Sequence, residues 1–203
     1  MILISFGDEL CHGNMAPRDV AKSNSLKFID MSSKNATSNL AIYKSIVKTV
    51  ADLKATDDYI FLIGWTRTDR IQYRYEGKDI VFIKDKYKHD NRMYDKLNKF
   101  NHYLFEPTMI NQQRMTFVYA TQQVLESKNI KYYMYNTAEP FWYHRNKMIG
   151  LKNINSRLYH NPLSEDSTML GYIKKQKLDI SKGQKDWASF LSQKMKAAGV
   201  LEK

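Results

Sequence analysis

Four side chains within five positions near the start of the chain could do chemistry: Asp8, Glu9, Cys11 and His12. Two carboxylates held close together push one pKa upward and make an acid–base pair. With His12 they also offer oxygen and nitrogen donors to a metal, and His144 or His160 could join from another loop. Nothing here has the fixed spacing of a His-Glu-x-x-His helix, so neither a metal nor another cofactor is expected. Adjacent side chains point apart, which disfavours a thiolate–imidazole pair at Cys11 and His12. A plainer role also fits: Asp8 caps a following turn through backbone N–H groups, and Glu9 faces solvent.

Two more groups carry charge in a useful pattern. Arg67 and Arg70 leave the apolar run that ends at Trp65. Their forked donors suit a phosphate or carboxylate, and Arg70 equally suits an ion pair with Asp69, Asp8 or Glu9. Residues 141–147, Phe-Trp-Tyr-His-Arg-Asn-Lys, mix aromatics with positive charge. Such a mix stacks bases or sugar rings beside phosphates, although loop aromatics also pack back on a core. His89 and His102 fall in a charged stretch and are expected in solvent.

These groups need elements to position them. Residues 1–6, 26–30, 59–65 and 131–135 are short apolar or aromatic runs, read as strands. The run at 59–65 is continuous, as in a strand covered on both faces. Residues 39–54 carry Leu40, Tyr43, Ile46, Val47, Val50 and Leu53 at helical spacing. Residues 108–128 do so with Met109, Met115, Val118, Tyr119, Gln122 and Leu125, with Pro107 in the first turn. A last helix spans 183–198, with Trp187, Phe190, Leu191 and Met195 facing in. Residues 71–75 and 79–83 flank Glu76-Gly77-Lys78 as a hairpin, followed by a charged insertion over 84–102, so that about 71–104 form an excursion from one α/β domain over 1–203. Strands alternating with helices predict a mostly parallel sheet wrapped in three α/β/α layers. Right-handed crossovers then bring the loops that begin at Gly7, Met31, Gly64 and Asn136 to one edge, where ligands bind.

Composition narrows the setting. The chain has 203 residues, 14 of them tyrosine, and a formal net charge of +11. That charge attracts anionic partners, nucleic acid first and acidic glycans next. The basic residues are spread along the chain, as in a solvated surface. There is no helix-turn-helix pattern, RNP-like strand or zinc-finger spacing to favour nucleic acid. One cysteine excludes an internal disulfide framework and predicts a reducing compartment. The first residues lack the basic and long apolar regions of a secretory leader, so a cytoplasmic location is expected. No apolar run approaches the roughly 18 residues of a membrane span.

The segments Phe6-Gly7-Asp8-Glu9, Ser38-Asn39 before a helix, Ile63-Gly64-Trp65-Thr66-Arg67-Thr68-Asp69-Arg70, and Gly183-Gln184-Lys185-Asp186-Trp187-Ala188 occur in an order and spacing that resembles the SGNH/GDSL hydrolases. The likeness is greatest to phage and bacterial members with Gly-Trp-Thr-x-x-x-Arg after the central strand. It implies a flavodoxin-like α/β/α fold with a pocket at the ends of strands one and three. It also implies a site built from Gly7, Asp8 and position 9, from Ser38 and Asn39, from Gly64 and Thr66, and from Asp179 before the last helix.

The family's mechanism uses a serine nucleophile, a histidine base held by an aspartate, and oxyanion donors from a glycine and an asparagine. Here Glu9 stands at the nucleophile position, and the second-block glycine falls on or near Ala36. Thr66 takes the place of the Gly-x-Asn asparagine, and the Asp-x-His-Pro block falls on Leu178-Asp179-Ile180-Ser181. No histidine follows His160. A serine without a base in reach is a weak nucleophile. The expectation is therefore a phage-type pocket that binds a small molecule or glycan without cleaving it. Two alternatives remain open at this point. One is an active hydrolase of acyl esters such as acetylated sugars, with His12 or His160 as base, Ser5 or Ser38 as nucleophile, or Asp8, Glu9 and His12 in altered chemistry. The other is a basic virion-associated or nucleic-acid-binding protein.

Overall fold

The computed structural model describes residues 1–12, 15–35, 37–54, 58–67, 70–75, 78–83, 107–138, 153–160 and 164–202. Four strands form one parallel sheet: β1 (Ile2–Phe6), β2 (Lys27–Asp30), β3 (Tyr59–Trp65) and β6 (Lys131–Asn136), in the order β2-β1-β3-β6. The registers pair Ile4 with Ile29, Ile4 with Phe61, and Phe61 with Tyr132. Between β3 and β6 the chain makes an antiparallel hairpin of β4 (Arg70–Tyr75) and β5 (Lys78–Ile83). The charged insertion at 84–102 and the aromatic-basic stretch at 141–147 lie outside the described residues, as do His89, His102 and His144.

Helices cover both faces. On one side lie α1 (Met15–Ser23), α4 (Met169–Lys175) and α5 (Ile180–Ala197). On the other lie α2 (Asn39–Asp52) and α3 (Pro107–Ser127). The strands' period of two sorts their side chains between two cores. Ile60 and Leu62 of β3 join Leu3, Tyr133, Tyr135, Trp187, Leu191 and Met195. Phe61, Ile63 and Trp65 join Ile4, Phe6, Ile42, Ile46, Val118 and Leu125. Six of the seven β3 residues are buried, because β3 has a strand on each side and a helix layer on each face. Burying each large apolar side chain contributes roughly 1.5–3 kcal/mol, so the two cores hold the strand ends in place. Close packing also shows at Gly183, where a Cβ would fall 2.6 Å from Ile173 Cγ2 of α4.

Two helices, α1 and α4, were not expected from the apolar spacing. α5 begins at Ile180, three residues earlier than the reading of 183–198, because Asp179 caps it by accepting from the Lys182 N–H at 2.8 Å. At the far edge, Tyr159 bridges Met134 in parallel and the His160 N–H donates to the Met134 carbonyl at 2.8 Å, which covers part of β6. From β1 the chain crosses first to β2 on one side and then to β3 on the other. The topological switch point therefore falls between the carboxyl ends of β1 and β3, the usual ligand position in open α/β sheets.

Candidate functional site

The loop leaving β1 folds into a helical turn. The Cys11 and His12 N–H groups donate to the Asp8 carbonyl at 2.9 and 3.1 Å, and the Leu10 N–H donates to Asp8 Oδ1 at 3.0 Å. The turn tucks Cys11 underneath, fully buried, with its Sγ 3.3 Å from the Tyr135 hydroxyl. Burial raises both the thiol and the phenol well above their ordinary pKa values, so Cys11 is no thiolate nucleophile.

Gly7 and Gly64 make room for this sulfur. A Cβ would lie 2.4 Å from Cys11 Sγ at Gly7 and 2.5 Å at Gly64. Both glycines therefore serve the packing of the turn against β3. Gly64→Ala is expected to lower stability by about 1–3 kcal/mol through overpacking. Adding Cys11→Ala should recover part of that loss, since Thr137 Cγ2 and Tyr135 Cζ also stand 3.0 Å from the new methyl. Urea midpoints of the two single variants and the double variant read this directly. Strict additivity would show that the sulfur is not the obstacle.

Asp8 is completely buried, and its second oxygen gathers the ends of the other strands. Oδ2 accepts from Thr66 Oγ1 at 2.6 Å, past β3, and from Arg70 Nη1 at 3.2 Å, at the start of β4. Thr137 Oγ1, past β6, stands 3.3 Å from the same oxygen and 3.0 Å from the Trp65 carbonyl. One hydroxyl proton serves only one of these two acceptors. Burial raises the Asp8 pKa, and Glu9 adds to the rise, whereas the Thr66 hydrogen bond and Arg70 oppose it.

Arg70 also grips Glu9 with a fork: Nη1 donates to Oε2 at 2.7 Å and Nη2 to Oε1. Such bidentate pairs are the strongest charge-assisted contacts. The Arg70 side chain is 9% exposed and that of Glu9 33%, so the fork joins a buried guanidinium to a partly exposed side chain.

Asn39 reads the main chain of the loop after β3. Its Oδ1 accepts from the Thr66 N–H at 3.0 Å, and its Nδ2 donates to the Thr66 carbonyl at 3.3 Å and the Arg67 carbonyl at 3.5 Å. Ser38 caps α2 by accepting from the Ala41 N–H at 3.1 Å and donates to Gln72 Oε1 at 3.0 Å, which ties the helix to the hairpin. Both hydroxyl lone-pair and proton are thus in structural use.

Neither of the two histidines that could supply a base is hydrogen-bonded to Glu9. His12 Nδ1 is 3.0 Å from the Ser32 carbonyl and 3.4 Å from Asp30 Oδ2. Asp30 in turn accepts from Ser5 Oγ at 3.0 Å. His160 packs edge-on against Trp187 and Phe190, with ring centroids 5.7 and 5.0 Å apart. Burial, with Lys194 nearby, lowers its pKa to about 4. Asp179 sits at the exposed start of α5, where its carboxylate caps the helix.

The structure thus brings together Gly7, Asp8, Glu9, Ser38, Asn39, Gly64, Thr66, Arg67 and Arg70 at the ends of β1 and β3. It keeps Asp179 in a helix cap, and it adds Thr137 and Asp30, which the sequence reading did not single out. Thr137 follows the β6 run by one residue, a position whose hydroxyl could have been weighed. Among the described residues, no three His, Cys, Asp or Glu side chains come together to hold a metal ion. Among them, too, no helix is long and apolar enough to cross a membrane. No family model matches the chain, and no curated protein matches it in sequence.

Proposed function

We propose that this chain is an SGNH/GDSL-hydrolase-like domain of the phage type whose site at the ends of β1 and β3 binds a small molecule or glycan without cleaving it. The observation that carries the reading is the Arg70 fork on Glu9. The side chain at the nucleophile position is a carboxylate, already neutralised and held. Among the described residues no imidazole is hydrogen-bonded to it or to Ser5 or Ser38. Hydrolysis by the serine route needs a nucleophile, a base and an orienting acid in one line, and these groups are dispersed here.

The order of the blocks along the chain supports the family reading, and so does their meeting at the switch point between β1 and β3. The net charge of +11 adds attraction for acidic glycans. Two assays test the proposal. A fluorophosphonate probe and short p-nitrophenyl esters should give neither label nor turnover. An NMR titration with acetylated or acidic oligosaccharides should move the amide signals of residues 7–12 and 64–67. Ester turnover that disappears in Glu9→Ala would refute the non-cleaving reading, and unmoved amides across the panel would refute glycan binding.

A further inference from the structure

The end of the sheet opposite Asp8 holds a separate cavity of about 710 Å³, within the range of small-ligand sites. It opens between the last turns of α2 and α3, beside the residues that enter β1, β3 and β6. Its apolar wall is mostly aliphatic, with Val47, Val50 and Leu53 from the α2 side and Val124 and Ile130 from the α3 side, and Tyr59 is the one aromatic residue among the described lining. Val47 lies on the apolar stripe of α2 yet is 38% exposed, so part of that stripe has no cover among the described residues.

The rim is cationic. Lys54, Lys128 and Lys131 line it, and Asp58 is the one carboxylate among the described lining residues. All three lysines are exposed, and none forms an ion pair with a described residue. Neither helix carries a basic residue in its own last turn. The lysines instead follow the helix ends in the chain and surround the opening.

We propose that this cavity binds a free medium-chain acyl carboxylate. Five aliphatic side chains against a single aromatic one, Tyr59, suit an alkyl chain better than a ring sandwiched between aromatic faces. Ammonium groups are compact point charges, matched to a single small anionic head rather than to forked recognition. This site is independent of the one at Asp8 and Glu9.

The test is calorimetric titration of the full chain with sodium decanoate below its micelle concentration. Saturable one-to-one binding is expected. It should weaken by roughly tenfold or more in Lys54→Glu and Lys128→Glu, because a repelling charge replaces an attracting one at short range. Val47→Asp should weaken it as well, by placing a charge in the alkyl path. Lys22→Glu, at the end of α1, changes the net charge equally and should bind as the parent does. Circular dichroism confirms that each variant is folded. Absence of saturable binding would overturn the proposal, as would equal weakening in Lys22→Glu. So would binding to phosphatidylglycerol vesicles with none to monomeric decanoate, which would mark a bilayer-facing surface instead.

Discussion

Arg70→Met is expected to destabilise the protein by about 3–5 kcal/mol near neutral pH, the usual consequence of removing one partner from a buried ion pair. Arg70 is 91% buried by side chain and Asp8 entirely so, and Met restores the volume of the stem but none of the donors. Most of the loss belongs to Asp8. Glu9, a third exposed, can turn to water, and its share is correspondingly small.

The pH dependence separates this cause from lost packing. The folded pKa of Asp8 is already raised above 3.8 by burial, and removing the nearby cation raises it further. A carboxyl with a raised folded pKa binds its proton more tightly when folded. Its contribution therefore favours the fold below 3.8 and is lost as pH rises through the folded value. The gap between Arg70→Met and the parent, read by urea unfolding, should be large at pH 7 and shrink toward pH 4. A gap that stays constant with pH would assign the loss to packing. Arg70→Lys, which keeps charge but not the fork, should fall between the two.

His160 gives the second large effect, with the opposite sign. Its pKa is lowered from 6.5 to about 4 by burial, with Lys194 contributing. The unfolded chain takes up a proton near 6.5 and the folded one only near 4. Stability is thus lost as pH falls through that window. At about 1.4 kcal/mol per unit the loss approaches roughly 3 kcal/mol. His160→Phe keeps a ring against Trp187 and Phe190 but cannot titrate. The parent should lose that amount between pH 7 and pH 4 while the Phe variant retains it. Parallel stability curves for the two proteins would show that His160 titrates normally in the fold. Asp8 acts in part of the same range with the other sign, so the Phe variant also exposes the Asp8 contribution.

The central strand was legible because it is an uninterrupted apolar run between polar boundaries; β3 lies at 59–65 as its run predicts. Helix α3 was legible in extent but less so in its buried face. Met115, Val118, Gln122 and Leu125 of the expected stripe are buried, but so is Arg114 outside it, and Tyr119 on the stripe is 39% exposed. A buried arginine that donates to Asn136 Oδ1 at 2.5 Å has no counterpart in a hydrophobic pattern.

Helix ends were harder still. Four helices stop on a residue with positive φ, at Ser25, Asn129, Lys177 and Gly199. In each, the next N–H reaches back to a carbonyl five residues earlier, as from Leu26 to Ala21 and from Ile130 to Leu125. Only one of the four uses glycine, the residue that announces such a stop. α1 and α4 are also short, at 9 and 7 residues, so neither repeats its pattern often enough to stand out.

In the site, the pairing of Arg70 with Asp8 or Glu9 stood among the readings open from charge alone. The choice needed the geometry, because 62 positions separate Asp8 from Arg70. Thr137, 129 positions from Asp8, carried no signal beyond a hydroxyl after a strand.

Those separations bear on how the chain is made. The Asp8 carboxylate leaves a ribosome before its partners, and Thr66, Arg70 and Thr137 follow 58, 62 and 129 positions later. β6 pairs with β3, so the sheet also waits for residue 136. Until then β3 has a parallel neighbour, β1, on one edge only, the slow and aggregation-exposed situation of long-range pairing. A nascent chain halted before Thr137 would already contain Thr66 and Arg70 for Asp8 but would lack the strand on the far edge of β3. Completion of β6 supplies the second neighbour of β3 and sets the Thr137 hydroxyl beside Asp8 Oδ2.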